Sequence, residues 1–231
     1  MSTATATAPT QLHRIEEAGF YWWVREGVPS DLSAIREVAG ERCYFTRAFR
    51  VEPGERWLDA GANIGAFAVT AAAAGAVVTA YEPEPDNADL ARRNLEENGQ
   101  PGAVVEKAVA LRGGFARLGL SRSAWRHSLL RPRGAGMQVP VVSFADAITG
   151  MDAAKLDIEG AEIELLAQVE DFGSLRKLVF EWHFDHERNT DIYLAVVERL
   201  RWFWPEVRGR KVKPHTRYVW FPPAALVRCW R

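Results

Sequence analysis

The sequence has few of the features that mark several classes of protein. It contains only two cysteines, Cys43 and Cys229, in no Cys-x-x-Cys or Cys/His spacing, which argues against a disulfide framework or a short-motif zinc site. No run of about 18 apolar residues is present, so no membrane span is expected. The net charge of −1 gives no support to a polyanion-binding role. We therefore expect free core thiols, a cytoplasmic location, no membrane partner and no preference for nucleic acid.

From residue 56 the apolar pattern alternates between strands and helices. WLDAG and AVVTAYEP (76–83) predict buried strands, and the segments 62–74 and 85–99 predict helices. AVVEKAVA (103–110) predicts a third strand. Because the links are short, this order indicates parallel strands joined by right-handed crossovers.

The rhythm breaks after residue 110. A segment rich in Gly, Ser and Arg (111–138) predicts a long loop or a hairpin. QVPVVSF and KLVFEWHF (177–184) then predict strands, AEIELLAQV and 190–203 predict helices, and the tail predicts closing strands. The whole is typical of an α/β fold with an open, doubly wound, Rossmann-like sheet, which binds ligands at the carboxyl ends of its strands.

A glycine turn follows the first of these strands. Gly61, Asn63 and Gly65 are spaced G-x-N-x-G, which departs from the G-x-G-x-x-G of dinucleotide-binding proteins at the second and third glycines. Asp59 precedes the turn and would repel a pyrophosphate. Glu82 ends the second strand, where a carboxylate can accept both hydroxyls of a ribose.

The two carboxylates predict a ligand with a nucleoside and a cationic group but no phosphate. S-adenosylmethionine has these properties, and the free amides at the start of the next helix would suit its carboxylate. In the alternative interpretation, Asp59 only caps the turn and the glycines only relieve backbone strain.

Several segments together resemble the FkbM family of S-adenosylmethionine-dependent methyltransferases. The resemblance covers roughly residues 20–190, and its segments are WWVREGVPSDLSAIREV, LDAGANIGAFAV, YEPEPDNADLARRNLEENG and AAKLDIEGAEIELL. It implies a mostly parallel seven-stranded class I methyltransferase sheet with an antiparallel last strand and an N-terminal extension of helix and strand. The methyltransferase domain would span 51–231, after a disordered leader at 1–12 and an N-terminal cap segment at 13–50.

The resemblance also implies an activity and a set of residues. The activity is methyl transfer to a hydroxyl of a small molecule, such as a sugar, a nucleoside or a natural-product scaffold. The cofactor would be S-adenosylmethionine, and the matching cofactor-binding positions are Asp59, Gly61, Ala62, Asn63, Gly65, Glu82, Pro83, Ala108, Val109, Ser128 and Asp157.

Three side chains are candidates for catalysis, because an alcohol needs a general base or a metal to react as a nucleophile. The resemblance implies that Asp157 lies at the end of the fourth strand, beside the ligand crevice. Glu181 and His183 end the next strand and share one face by alternation. His183 is the residue type that titrates nearest neutral pH, although it could equally be a hydrogen-bonded core histidine. Together the three could hold a divalent metal, a hypothesis that no compact ligand spacing supports.

Aromatic and charged residues on predicted loops and strand ends are candidates for binding the acceptor. They are Tyr44, Trp125, Arg126, His127, Glu159, Trp182 and Arg210. Arginines in the long loop and the tail favour an anionic acceptor, unless those loops are simply solvated. N-methylation of a peptide or nucleobase, a nucleotide-binding oxidoreductase, a non-catalytic cofactor-binding protein and a homodimer all stay open.

Overall fold

The computed structural model describes residues 11–119, 136–183, 190–204, 206–209 and 224–231. Within them the chain forms an α/β fold around a mixed central sheet, which confirms the predicted α/β class. None of the described helices is long and apolar enough to cross a membrane.

The elements follow one another in a regular order. An N-terminal segment holds β1 (Leu12–Glu17), β2 (Phe20–Arg25), α1 (Pro29–Ile35) and a π-helical turn (Arg36–Gly40). The next part comprises β3 (Arg56–Ala60), α2 (Ala66–Ala73), β4 (Val77–Tyr81), α3 (Pro85–Glu97) and β5 (Gly102–Val105). After these come β6 (Ala108–Ala110), β7 (Gly114–Gly119), β8 (Gly136–Ser143) and α4 (Phe144–Ala147). The last elements are β9 (Ala153–Leu156), α5 (Ala161–Gln168), β10 (Lys177–His183), α6 (Thr190–Phe203), β11 (Glu206–Gly209) and β12 (Ala224–Trp230).

Among the described residues, the central sheet contains seven strands in the order β11-β12-β10-β9-β3-β4-β5. The pairs from β10 to β5 are all parallel. β12 runs antiparallel to both of its neighbours, β10 and β11, so the sheet is mixed. The carboxyl ends of β3, β4 and β9 therefore meet at one edge of the sheet, where the glycine turn begins.

The prediction of one strand over 103–110 is wrong. The segment divides into β5, which joins the central sheet, and β6, which pairs with β8 in a separate three-stranded sheet. The exposed residues Glu106 and Lys107 separate the two strands, and the Lys107 amide closes a tight turn on the Val105 carbonyl at 2.9 Å. Of the loop or hairpin predicted for 111–138, the described part agrees with a hairpin, because β7 pairs antiparallel with β8, and residues 120–135 lie outside the described residues.

Each face of the central sheet carries its own core. One core joins the N-terminal segment, α2 and α3 through side chains such as Trp22, Trp57 and Phe67. The other joins α4, α5 and α6 through side chains such as Phe180 and Trp182. Strand alternation decides which residue enters which core.

Both cysteines are free thiols, as predicted. Cys43 is half-buried beside the first core, and burial raises the pKa of its thiol to about 12. Cys229 is fully buried in the second core, and burial raises its pKa as well. Neither thiol ionises near neutral pH, which suits a packing role.

Side chains of α3 cover the outer edge of the β1–β2 hairpin. The Asn94 Oδ1 accepts the Trp23 amide at 2.7 Å, and its Nδ2 donates to the Ile64 carbonyl at 2.8 Å. One turn later, Asn98 accepts the Tyr21 amide at 2.9 Å and donates to the Tyr21 carbonyl. An isolated hairpin is only marginally stable. These bonds therefore hold the β1–β2 hairpin against α3.

We expect Asn94→Ala to lower the free energy of unfolding by about 2–4 kcal/mol, since it leaves one buried and one part-buried backbone group without their partner. Asn98→Ala is the matched control and should cost about 1 kcal/mol or less, because water reaches its backbone partners. Urea denaturation measures both. Equal losses in the two variants would contradict the role assigned to Asn94.

Candidate functional site

The glycine turn packs directly against the end of β9. Gly61 has φ +78°, and a Cβ at this position would lie 1.8 Å from the Asp157 carbonyl oxygen. The Gly61 and Ala62 amides both donate to the Tyr81 carbonyl, at 2.9 and 3.1 Å. A glycine is therefore needed at position 61 for two reasons: its positive backbone angle and its close contact with the neighbouring strand end.

Gly65 plays a similar part at the start of α2. It has φ +86°, and an added Cβ would lie 3.0 Å from the Ala91 Cα on α3. Asn63, between the two glycines, also has a positive φ of 51°. No side chain caps the N-terminus of α2. The turn thus presents backbone and a helix N-terminus to the carboxyl edge of the sheet.

Glu82 joins the turn to the end of β4. Its buried carboxylate accepts the Asn63 amide at 2.8 Å and the Glu84 amide at 3.0 Å. Burial raises the pKa of Glu82 to about 7, even though the two amides act to lower it. The predicted position at the strand end is confirmed, and ribose binding stays a prediction. Half-buried Pro83 links this carboxylate to Glu84, which caps α3 by accepting the Asn87 amide at 2.7 Å.

Asp59 has a partner that the sequence analysis missed. Its carboxylate is fully buried, and Oδ1 lies 3.1 Å from the Lys155 Nζ. The two residues are opposite each other on the parallel strands β3 and β9. A buried carboxylate needs a counter-charge, and the protein supplies it. The protein itself thus supplies a cation for Asp59, and contact of Asp59 with a cationic ligand stays a prediction.

Lys155 is almost fully buried and makes more than one contact. Its Nζ also donates to the Gly61 carbonyl at 2.7 Å and lies 3.8 Å from the Asp157 Oδ2. Burial lowers the pKa of Lys155, but the carboxylates around it, chiefly Asp59 and Asp157, outweigh burial and raise it. The signal in the sequence was a lone lysine within AAKL, the otherwise apolar strand β9.

Asp157 lies just past β9 with 24% of its side chain exposed. Its amide extends the sheet by donating to the Ala60 carbonyl at 3.0 Å. Its Oδ2 accepts the hydroxyl of Tyr44 at 2.8 Å. Burial, followed by the charge of Asp157, raises the pKa of Tyr44 well above its usual range, so the phenol stays a donor. The Asp157 carboxylate is thus held in place by the Tyr44 hydroxyl and still reaches solvent.

The structure places Tyr44 differently from the prediction of an acceptor-binding residue. Its ring is buried against Phe67, with centroids 5.5 Å apart, and its hydroxyl is engaged by Asp157. The Tyr44 carbonyl accepts the Arg228 Nε at 3.0 Å, and the Cys43 carbonyl accepts a second Arg228 donor. Tyr44 therefore connects the N-terminal segment to Asp157 and to β12.

The end of β10 separates two of the predicted site residues. Glu181 is half-buried, and its charge contributes to raising the pKa values of Lys155 and Tyr44, so it belongs to the same charged neighbourhood. Trp182 points the other way into the second core, where it is fully buried beside Tyr193. The prediction that Trp182 binds the acceptor is wrong, because alternation turns it away from Glu181.

The hypotheses of His183 as a base and of a metal centre gain no support. His183 ends β10, where its backbone pairs with Ala224. In the part of the chain that the structure describes, no group of three or more His, Cys, Asp or Glu side chains could hold a metal ion. A metal held by Asp157, Glu181 and His183 stays an untested prediction.

The turn before α5 carries the other acidic residues of the LDIEGAE motif. Glu159 is half-buried with φ +53°, an unusual backbone angle for a residue with a side chain. Glu162 is fully buried, and its carboxylate accepts the Gly160 amide at 2.8 Å. Glu162 therefore stabilises the turn, whereas acceptor binding by Glu159 stays a prediction.

Ala108 and Val109, predicted to flank the adenine, are both buried in β6. Ala108 packs with Leu118 and Val139, and Val109 lies in the second core. Their contact with a nucleoside stays a prediction. The remaining predicted site residues lie outside the described residues: Trp125, Arg126, His127, Ser128 and Arg210.

The sequence is similar to a known protein family and to two curated methyltransferases. The sequence matches the Methyltransferase FkbM domain over residues 59–209. It is 28% identical over 189 residues to the 31-O-demethyl-FK506 methyltransferase FkbM of Streptomyces tacrolimicus, covering 64% of this chain and 73% of that protein. It is 35% identical over 105 residues to the ubiquinone biosynthesis O-methyltransferase of Methylocella silvestris. That match covers 39% of this chain and only 41% of the Methylocella protein.

Solved structures share the fold at low sequence identity. A SAM-dependent methyltransferase from Agrobacterium tumefaciens aligns with a TM-score of 0.53 and 11% identity, over 97% of this chain and 72% of that one. P. horikoshii TYW2 in complex with MeSAdo aligns with a TM-score of 0.50 and 12% identity, over 96% and 71% of the two chains. Because the family match spans well over half of the sequence, the chain belongs to the FkbM methyltransferase domain family.

Proposed function

We propose that this protein transfers a methyl group from S-adenosylmethionine to a hydroxyl of a small molecule. The observation that carries the proposal is the contact between the glycine turn and Asp157. Gly61, in the turn where the family match begins, packs against the backbone of Asp157, whose carboxylate reaches solvent. A donor-binding loop and a group able to handle a proton thus share one edge of the sheet.

The residues around the turn fit the methyl donor. The uncapped N-terminus of α2 offers backbone amides and the positive end of the helix dipole to a carboxylate. Glu82, at the adjacent strand end, offers carboxylate oxygens to ribose hydroxyls. S-adenosylmethionine, when bound, supplies an electrophilic methyl group. The fit no longer depends on Asp59, because Lys155 already neutralises that residue.

Asp157 is the residue we assign to the acceptor. The Tyr44 hydroxyl holds one of its oxygens, which fixes the direction of the carboxylate. The carboxylate can orient the acceptor hydroxyl and take its proton as the oxygen attacks. His183, at the end of β10, is the alternative base.

An oxygen acceptor is favoured over a nitrogen acceptor by the relatives. The names of both curated proteins describe methylation at oxygen, one at the 31-O position of a demethyl-FK506 and the other in ubiquinone biosynthesis. Assays of methyl transfer to a panel of hydroxylated small molecules and matched amines would identify the acceptor.

Titration calorimetry separates the methyltransferase from the oxidoreductase. We expect S-adenosylhomocysteine to bind and NAD to give no heat, because the G-x-N-x-G turn lacks two of the glycines that dinucleotide binding uses. Binding of NAD without binding of S-adenosylhomocysteine would overturn the proposal.

The affinity for S-adenosylhomocysteine should depend on pH through Glu82. The ionised carboxylate accepts hydroxyl hydrogens, so its protonation below a pKa of about 7 should weaken binding by up to about tenfold per pH unit. Glu82→Gln should bind more weakly at pH 8 and lose this dependence. Glu55→Gln is the control, since Glu55 is equally buried but pairs with Lys177 at the opposite end of the sheet. The ribose assignment fails if Glu82→Gln keeps the wild-type pH dependence.

Asp157→Asn should lower kcat about 10²–10⁴-fold, the range associated with loss of a general base, while affinity for S-adenosylhomocysteine changes little. The assay is the gain of one methyl group in product mass across the acceptor panel. Asp152→Asn, at the amino end of β9, should leave kcat unchanged. An Asp157→Asn variant with wild-type kcat would remove Asp157 from the chemistry and turn attention to His183.

A further inference from the structure

The geometry points to Lys155 as a positioning residue that holds the donor loop and Asp157 in one fixed arrangement. This inference rests on the proposed function. The Lys155 Nζ donates to the Gly61 carbonyl at 2.7 Å, pairs with the Asp59 Oδ1 at 3.1 Å and lies 3.8 Å from the Asp157 Oδ2. One ammonium therefore contacts Gly61 in the glycine turn, Asp59 on β3 and Asp157 just past β9.

The position of Lys155 is fixed from several sides. It sits on β9 directly opposite Asp59, and only 4% of its side chain is exposed. The rings of Tyr44 and Phe67 lie 5.5 and 6.0 Å from its Nζ. Because an ammonium has three donors and no acceptor, it can face two carboxylates and a carbonyl at once. Few alternative side-chain positions are available in such a setting.

The charges explain why a cation is needed at this point. Asp59 and Asp157 lie on either side of the Nζ, and Glu181 contributes to the same field. Without the ammonium, the buried Asp59 carboxylate and the partly exposed Asp157 carboxylate would repel each other. The repulsion would move the Asp157 side chain away from the Tyr44 hydroxyl, and the Gly61 carbonyl would lose the hydrogen bond that ties it to β9.

A purely structural lysine would behave differently, and the chain contains one for comparison. Lys177 is also largely buried, pairs with the Glu55 Oε1 at 2.6 Å and donates to the Arg50 carbonyl at 2.7 Å. It thus has the same kinds of partner as Lys155, a carboxylate and a backbone carbonyl. It begins β10, at the amino end of the strand, away from the glycine turn.

The test compares Lys155→Met, Lys177→Met and the double variant Asp59→Asn with Lys155→Met. The double variant removes both buried charges and keeps the protein testable if Lys155→Met alone does not fold. Urea denaturation, calorimetry with S-adenosylhomocysteine and methyl-transfer kinetics are measured for each, at a temperature where near-UV circular dichroism shows a folded protein.

We expect both single lysine variants to lose stability, but only those lacking Lys155 to lose function. In the double variant, stability should recover relative to Lys155→Met, because the repulsion from Asp59 is removed as well. Its kcat/KM should stay about 10²-fold below wild type, because the Gly61 carbonyl and Asp157 have lost the ammonium that held them. Its pH–rate profile should also differ from that of wild type, because both buried charges next to Asp157 are gone. Lys177→Met should keep the wild-type affinity, kcat/KM and pH profile.

Two results would overturn the inference in distinguishable ways. If wild type binds S-adenosylhomocysteine and the double variant matches its affinity, kcat/KM and pH profile, Lys155 is purely structural and the proposed function stands. If the wild-type protein binds no S-adenosylhomocysteine and transfers no methyl group, the proposed function fails and the inference fails with it.

Discussion

The buried ion pair between Asp59 and Lys155 is the interaction on which the site depends. A single charge in this position would be costly, by several kcal/mol, so each residue is viable only because the other is opposite it. The pair fixes the register of β3 and β9 at their carboxyl ends. The contact between Gly61 and Asp157 follows from that register, because the turn leaves β3 at the level where β9 ends.

The N-terminal segment is part of this arrangement rather than an addition to it. The Tyr44 hydroxyl donates to Asp157. Arg228, on β12 two strands away from β9 in the sheet, donates to the Tyr44 carbonyl. At the opposite end of the segment, Asn94 ties the β1–β2 hairpin to α3 and to the residue that precedes Gly65. The glycine turn, Asp157 and the N-terminal segment are therefore linked through polar contacts that are at least partly buried and costly to break singly.

Strand ends were predictable from the sequence, whereas buried partners were not. The alternating apolar runs correctly placed Glu82 at the end of a strand, because strand length and turn residues are local properties, whereas the strand end at Asp157 came from the family resemblance. The partner of Asp59 depends on the order of strands in the sheet, which brings Lys155 across from a distance in the chain. Strand alternation correctly placed Trp182 and Glu181 on opposite faces of β10. Because both faces of the sheet carry a core, alternation could not show that Trp182 is packed in one of them.

The most direct test of the account is a crystal structure with bound S-adenosylhomocysteine. We expect the ribose hydroxyls on the Glu82 carboxylate, the sulfur facing the side of Asp157 that reaches solvent, and Lys155 still between Asp59 and Asp157. A nucleoside bound away from Glu82, or a Lys155 side chain turned out of the Asp59 pair, would contradict it.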